Sequence, residues 1–469
     1  MKNFFKKIKN FFINILLYIK SLFCKASVPN DEVSSNDKQE KINIDSKEEE
    51  ITEPIITEYN SINNPIDPNN IKKGEIGGYV MYNKETAEIS AEFINNLKEL
   101  GINILYINTP RGKNTTLSFN EWLDLFDKFK DSGIKIMLYI YEAVSVKPKW
   151  STSEIKKIST HPSFYGWIGE DEVSYSSHNG GNAWITRFHN ETWSDGSRKW
   201  PNIAACYYPK LDNLNSDMIG ETYSDYLKLW ADSIDVAHAD MYPFVSDRTN
   251  DSHKNIADDG SPIYSIPEGG YNWFEYLKEH FMFTKEFPNI THRLYMNSCK
   301  HVAKDSNGEL YIARPKPTEL VTKIQAYANL MAGSNGLMLF VLNDILSGAA
   351  GFSEAPFSNI LTINVDTYNT IKNVFTSKEF INYKNIIVNL DKFEFTYGDL
   401  GDVIASCAKN NEYNYITLLN TSLTKDAIFE IPSGNLLINL NTLTEREIKE
   451  HEIYTINPGE ILFLKSKLN

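Results

Sequence analysis

The sequence predicts an α/β chain in which a (β/α)8 TIM barrel is followed by a small all-β sandwich. Three observations carry this. Eight short apolar runs alternate with amphipathic helical stretches between residues 73 and 383. The helical period stops near residue 384, and short strand-like runs separated by Asn, Gly and Pro continue to the end. No GxGxxG and no GxxxxGK(S/T) occurs, so the rival doubly wound sheet lacks its phosphate turn.

The elements follow in order. Gly78–Tyr82 reads as the first strand. Glu85–Leu100 reads as a helix stopped by Gly101. Ile102–Asn108 is the second strand. Ser118 to Glu121 forms a capping-box pattern that opens a helix ended by Gly133. Ile134–Tyr141 is the third strand, Ser151–Thr160 a short helix and Phe164–Gly169 the fourth strand. Ile203–Tyr208 is the fifth strand, Tyr223–Asp232 a helix and Val236–Tyr242 the sixth strand. Tyr271–Phe287 and Thr318–Ala332 are helical and flank the seventh strand, Leu294–Ser298. Gly336–Leu342 is the eighth strand, and Val365–Ile381 a last helix. Seven runs then make the sandwich over 384–469: Ile386–Val388, Phe393–Phe395, Val403–Cys407, Tyr413–Leu419, Ala427–Ile431, Leu436–Leu440 and Ile461–Leu464.

Composition narrows the function classes. The 469 residues carry 47 Lys plus Arg against 61 Asp plus Glu, a net charge of −14. An acidic chain is a poor partner for phosphate backbones, so nucleic acid is not expected as a partner. Hydrophobic residues at 42% exclude disorder of the whole chain. Cys24, Cys206, Cys299 and Cys407 lie too far apart for a metal knuckle, and no HExxH occurs. No cofactor and no metal are expected, and a monomer is.

Residues 1–26 are set apart. The first 25 hold six Lys and no acid. Their longest uncharged stretch, Asn10–Ile19, is too short to span a bilayer, which needs about 20 apolar residues. They read as a signal, with Cys24-Lys25-Ala26 as the cleavage site or Cys24 as an acylated residue. A helix lying on a membrane surface competes with that reading. The expected location is therefore secreted or anchored at the cell surface, with a cytoplasmic protein carrying a membrane-surface helix as the alternative. Residues 27–72 read as an unstructured acidic linker. Between Asp31 and Glu53 there are nine acids, three Lys and no aromatic residue.

A barrel keeps its chemistry at the C-terminal ends of its strands. The fourth strand runs out into Glu170, Asp171 and Glu172. Three adjacent carboxylates at such a place raise at least one pKa, which suits a general acid. A solvated acidic loop is the bland alternative. Asp240, Asp344 and Glu142 follow other strands and are candidate second carboxylates. Candidate substrate binders are Trp167, Tyr208, Tyr242, Asn297 and Asn343 at strand ends, with Trp193, Trp200 and Trp273 on connecting segments. Indole faces stack on sugar rings. The segment Ser174–Asn202 is expected to build a loop over the barrel mouth, and Ser246–Gly270 a second lid. Trp122 and Trp230 read as core. His178 and His238 read as minor candidates for the mouth.

The run His161-Pro162-Ser163-Phe164-Tyr165-Gly166-Trp167-Ile168-Gly169-Glu170-Asp171-Glu172 resembles the "hP…GY…DEP" segment of a loose bacterial group of glycoside-hydrolase-like barrels, related to the β-galactosidase and cellulase superfamily. Tyr207-Tyr208-Pro209, Asp240-Met241-Tyr242-Pro243-Phe244 and Gln325–Gly333 match further segments of that group in order. The resemblance covers roughly residues 75–350 and implies that Glu172 protonates the glycosidic oxygen of a carbohydrate substrate. It also implies a nucleophilic Glu at the end of the seventh strand. Here that strand ends Tyr295-Met296-Asn297-Ser298, with no acid. Glu170 and Glu172 with Tyr242 are also similar to chitinase-type barrels, which use the substrate's own N-acetyl group. A non-catalytic carbohydrate-binding protein on a degenerate barrel is a further alternative. A lyase or aldolase would want a Lys at a strand end, and none stands near the predicted ends of strands two to eight. A serine hydrolase would want G-x-S-x-G, which is absent.

Overall fold

The computed structural model describes residues 57–58, 74–85, 88–109, 116–145, 148–173, 183–207, 231–239, 242, 273–304, 307–347, 349–398, 401–431, 433–449 and 451–468. Strand β1 is Thr57–Glu58, and the barrel strands begin with β2 (Glu75–Met81). They continue through β3 (Ile104–Asn108), β4 (Lys135–Tyr139), β5 (Phe164–Val173), β6 (Ala204–Tyr207), β7 (Val236–Ala239), β8 (Thr291–Asn297) and β11 (Gly336–Phe340). All eight pair in parallel, and β11 closes the circle by pairing with both β8 and β2. The predicted barrel is observed, each strand within a few residues of its expected place.

Local chemistry sets the boundaries. Ser90 and not Glu85 opens the first helix, Ala91–Glu99, because its hydroxyl accepts from Phe93 N. The capping box at Ser118 and Glu121 forms in the helix Phe119–Lys128, and a second one forms at Ser151 and Glu154. The third strand ends at Tyr139, and Ile140–Val144 turns straight into a short helix. The last predicted helix is two, Val365–Phe375 and Lys378–Ile387, since Ser377 caps a new start by accepting from Phe380 N. The run Ile386–Val388 therefore ends a helix instead of making a strand, and the sandwich begins at Asp391.

Two cores result. Inside the barrel lie Tyr79, Ile104, Tyr106, Met137, Ile168, Ala204, Val236, Tyr295 and Met338. Polar groups are buried among them as partners. Arg293 pairs with Glu75, and the Tyr165 hydroxyl bonds to both. His238, which the sequence offered for the mouth, is buried in this interior against the Tyr106 hydroxyl. Burial holds its pKa well below the usual imidazole value, so it is neutral. Outside the barrel, a second core joins the strands to the helices and runs on into the C-terminal sheet.

That sheet has seven strands in the order β1, β21 (Thr444–Glu447), β20 (Leu436–Asn439), β23 (Ile461–Lys467), β18 (Tyr413–Asn420), β17 (Gly401–Lys409) and β16 (Asp391–Gly398). A two-stranded sheet of β19 (Ala427–Ile431) and β22 (Glu452–Ile456) covers one face over Val403, Leu418, Phe429, Ile456 and Leu464. The other face packs on the barrel helices. Phe274 stacks on Tyr397 and Phe281 on Phe395, at 5.3 and 5.9 Å. Tyr383 meets Phe463 edge-on, and Ser406 Oγ donates to Met331 O. The segment expected to be a wholly unstructured linker contributes β1, which pairs with the outer edge of β21.

Gly166 marks the tightest point between the fourth and fifth strands. A Cβ there would stand 2.5 Å from the Asn202 carbonyl oxygen, whose own side chain donates to Tyr165 O. Backbone cannot yield as a side-chain tip can. Gly166→Ala should therefore lower stability by about 1–3 kcal/mol, read by denaturant unfolding.

Candidate functional site

The C-terminal ends of the eight strands gather on one face, which also carries an unanticipated sheet. Strand β9 (Lys300–Lys304) starts three residues after β8 ends and forms a hairpin with β10 (Leu310–Arg314). Strands β12 (Ile345–Ser347) and β13 (Ala350–Ser353) follow β11 and pair onto β9, giving the order β10, β9, β13, β12. The signal for the hairpin was present: Asn307-Gly308 sits between two short alternating runs, and Gly308 has φ 85°. The site is thus a barrel mouth with a small antiparallel sheet built over strands seven and eight.

The floor is aromatic. Phe340 ends β11, with Phe352, Tyr79, Tyr295 and Tyr242 around it at centroid distances of 4.9, 5.3, 5.9 and 6.2 Å. Next to it runs a polar chain. Tyr141 Oη donates to Asn108 Oδ1 at 2.7 Å, and Asn108 Nδ2 donates to Tyr79 Oη. Tyr141, Asn108, Phe340 and Phe352 are only partly buried.

Two described carboxylates stand at the mouth. Glu142, just past β4, is buried and accepts from Thr109 Oγ1 at 3.0 Å. Asp344, past β11, is half-buried and accepts from Ala355 N at 2.9 Å. Burial pushes its pKa up, and Glu354 adds to the shift. Glu354 itself pairs with Lys300 and Lys316 at 3.3 and 3.5 Å. The backbone of Glu170, Asp171 and Glu172 belongs to the end of β5, as expected; their side chains lie outside the described part. The pairing register of β5 shifts on both sides of Glu170, so spacing alone does not fix the faces of this run. Asp240, Tyr208, His178 and the lid candidate 246–270 lie outside the described residues.

Other expectations are corrected. Trp167 faces outward and is fully buried between Trp150 and Trp200, with Trp200 at 5.0 Å, so no sugar can stack on it. Trp200 is buried too, and its Nε1 donates to Glu191. Trp273 begins the helix Trp273–Glu286 and is buried in the same outer core. Trp193 follows the helix Ala183–Asn190 and precedes β6, which places it at the N-terminal face, opposite the mouth. There it packs under Lys156 and Lys199. The part of 174–202 from Ala183 onward is thus a helix and a return connection instead of a loop over the mouth.

Both asparagines are fasteners. Asn343 Oδ1 accepts from Met81 N, and its Nδ2 donates to Met81 O, each at 3.0 Å. A side-chain amide thereby extends the β11–β2 pairing by one rung. Asn297 Nδ2 donates to Pro315 O, and its backbone N–H to Gln325. The buried Tyr242 alone among the described aromatic candidates stands on the floor of the mouth, under the Arg314 guanidinium. Sequence reasoning missed Asn108, Tyr141, His301, Arg314, Phe340 and Phe352. Among the described residues no cluster of three or more His, Cys, Asp or Glu could hold a metal ion.

With this geometry the chain can be set beside known structures. The β-galactosidase from Bacillus circulans sp. alkalophilus aligns with a TM-score of 0.50 at 10% identity, over 85% of this chain and 99% of that one. The chain has the barrel fold of glycoside hydrolases. Eubacterium rectale Amy13B aligns with a TM-score of 0.48 at 11% identity, over 85% and 96% of the two chains. The α-galactosidase I from Mortierella vinacea aligns with a TM-score of 0.46 at 11% identity, over 86% and 98%. No family model matches the sequence, and no curated protein matches it either.

Two outcomes follow from the placements. Trp200→Ala and Trp273→Ala should each cost about 3–5 kcal/mol of stability, read by denaturant unfolding. Folding favours the protonated form of Asp344, so that group opposes folding increasingly as pH rises from about 4 through its raised pKa. Asp344→Asn should remove this part of the pH dependence, leaving the variant relatively more stable above the window than below it.

Proposed function

We propose that the protein is a glycoside hydrolase that cleaves glycosidic bonds of a polysaccharide or glycan. The observation that carries this is the run Glu170-Asp171-Glu172 at the C-terminal end of the fourth strand of a closed barrel. The run ends a barrel strand on the face where the fold keeps its chemistry, and the same face carries an aromatic floor that suits the apolar faces of sugar rings. Glu172 is the proposed acid/base. Asp344 is the favoured partner among the described carboxylates, since it follows the eighth strand and its surroundings already perturb its pKa. Asp171, Glu170, Glu142 and Asp240 remain in the candidate set. The separation of the two acting carboxyls decides between retention and inversion.

A second reading has one observation in its favour. The seventh strand ends in Asn297, whose amide is spent on Pro315, and not in an acid. A barrel without a nucleophile there could bind glycans without cutting them, or use an N-acetyl group of the substrate beside Tyr242. Residues 1–26 fit export or attachment to a membrane surface. No helix among the described residues is long and apolar enough to cross a membrane.

Hydrolysis of a glycan panel by wild type and by Glu172→Gln tests the assignment. The variant should lose at least about a hundredfold in kcat, the low end of what a positioned acid/base contributes, with an unchanged fold. Equal rates would remove Glu172 from its role. Binding without cleavage by wild type would favour the second reading.

A further inference from the structure

Two histidines lie where the barrel meets the C-terminal sheet, far from the mouth. His280 is on the helix Trp273–Glu286, and His292 is the second residue of β8. Both are buried, at 1% and 2% exposure. Their rings meet edge-on, with centroids 5.5 Å apart and 84° between planes. His292 Nε2 donates to Phe287 O at 2.9 Å. Its Nδ1 and both ring nitrogens of His280 are buried with no hydrogen-bond partner. The charged groups that act on these rings are Lys392 and, for His280, the second imidazole. Lys392 is itself buried, near the start of β16. The other charges on the packed elements are engaged elsewhere or face water. Lys278, Lys285 and Glu286 of the helix are exposed, and Glu279 is half-buried. Arg293 pairs with Glu75 inside the barrel, Asp235 before β7 with Arg198, and Asp391 with Lys285 and Lys409. The helix holds β16 by few contacts: Phe274 on Tyr397, Phe281 on Phe395, and Lys285 Nζ on Asp391 and on Lys392 O.

We propose that His280 and His292 form an acid-sensitive latch: protonation of the pair separates the helix Trp273–Glu286 from β16 while the barrel strands stay closed. A neutral imidazole in this place packs as a ring and leaves bare nitrogens without water. A protonated one adds a positive charge to a buried site that already holds Lys392 and a second imidazole. His280 has no acceptor for either N–H, and His292 has one, on Phe287. Water can relieve the charge only by reaching the rings. β8 is locked between β7 and β11 in the closed sheet, so the contact that yields is the sparse one between the helix and β16. Burial, with Lys392 beside them, holds both imidazoles below the ordinary range, His292 at about 4. The rings exposed by opening take protons near pH 6.5, and the closed rings only near pH 4 and below. The closed seam is therefore fully favoured above about pH 6.5 and loses stability as pH falls toward 4. Each imidazole shifts the balance by up to about tenfold per pH unit in that window.

Hydrogen exchange of the full chain, corrected for the intrinsic pH dependence of amide exchange and followed by mass spectrometry at pH 7 and pH 5, tests the latch. Wild type is compared with His280→Phe and with His280→Phe combined with His292→Gln, whose amide keeps a donor for Phe287 O. His280→Leu replaces His280→Phe if the larger ring does not fit. In wild type, protection of residues 273–286 and 391–398 should fall by about tenfold or more on going to pH 5, while residues 75–81 and 104–108 keep theirs. The fall should be smaller in the single variant and absent in the double one. Urea unfolding at pH 7 supplies a second reading: His280→Phe or His280→Leu should match wild type within about twofold in the folding equilibrium or exceed it, because no hydrogen bond is lost. Protection unchanged in wild type, falling equally in the barrel strands, or falling equally in the double variant would overturn the latch. So would a large loss of stability at pH 7 in both His280 variants, which would make the ring a structural contact.

Discussion

Closure of the eight-stranded sheet is the constraint on which the rest of the molecule depends. β11 must pair with β2 and β8 at once, and only then are the backbone groups of all eight strands satisfied with no open edge. The sequence supports the seam from several sides. Gly336 lets β11 approach the Glu75 carbonyl, where a Cβ would be 2.5 Å away. Asn343 adds its amide rung to Met81. Arg293 on β8 and Glu75 on β2 hold the neighbours of β11 together by a buried ion pair, shared with Tyr165 on β5. Such a pair costs desolvation, but losing one partner would strand a charge in the core.

Because the strands are parallel and closed, their C-terminal ends meet on one face, and the candidate carboxylates among the described residues follow those ends. The acidic run leaves β5, Glu142 follows β4, and Asp344 follows β11. The loops after the last two strands are not free. They fold into a sheet whose inner row faces the aromatic floor. The C-terminal sandwich sits on the helices around the barrel and shares their core, so it stiffens the flank.

The barrel was legible because its signal is redundant: eight buried runs, helix caps and glycine stops all agree. Boundaries slipped where a cap competed with an apolar run, as at Ser90 and Ser377. The site was legible only in part. Strand ends locate carboxylates such as Glu170–Glu172 and Asp344, since order along the chain fixes them. Aromatic residues carry no such address. Trp167 alternates outward into the helix layer, and Trp193 falls on the far face once Ala183–Asn190 is a helix. The excursions after β8 and β11, Lys300–Arg314 and Ile345–Ser353, escaped notice because short hairpins on a βα loop read as turn-rich connection, although Asn307-Gly308 marked one. Arg314, His301 and Phe352 are brought together by that pairing and by nothing in their spacing.

In the proposed hydrolysis, a carboxyl at the end of β5 protonates the leaving oxygen of a bound glycan. Such a proton matters only as far as the leaving group needs it. Glu172→Gln is compared with wild type on a dinitrophenyl glycoside, whose leaving group needs no proton, and on the matching unactivated oligosaccharide. The expected loss is at least about a hundredfold on the oligosaccharide and much smaller on the activated glycoside. Equal losses on both substrates, or no loss on either, would contradict it.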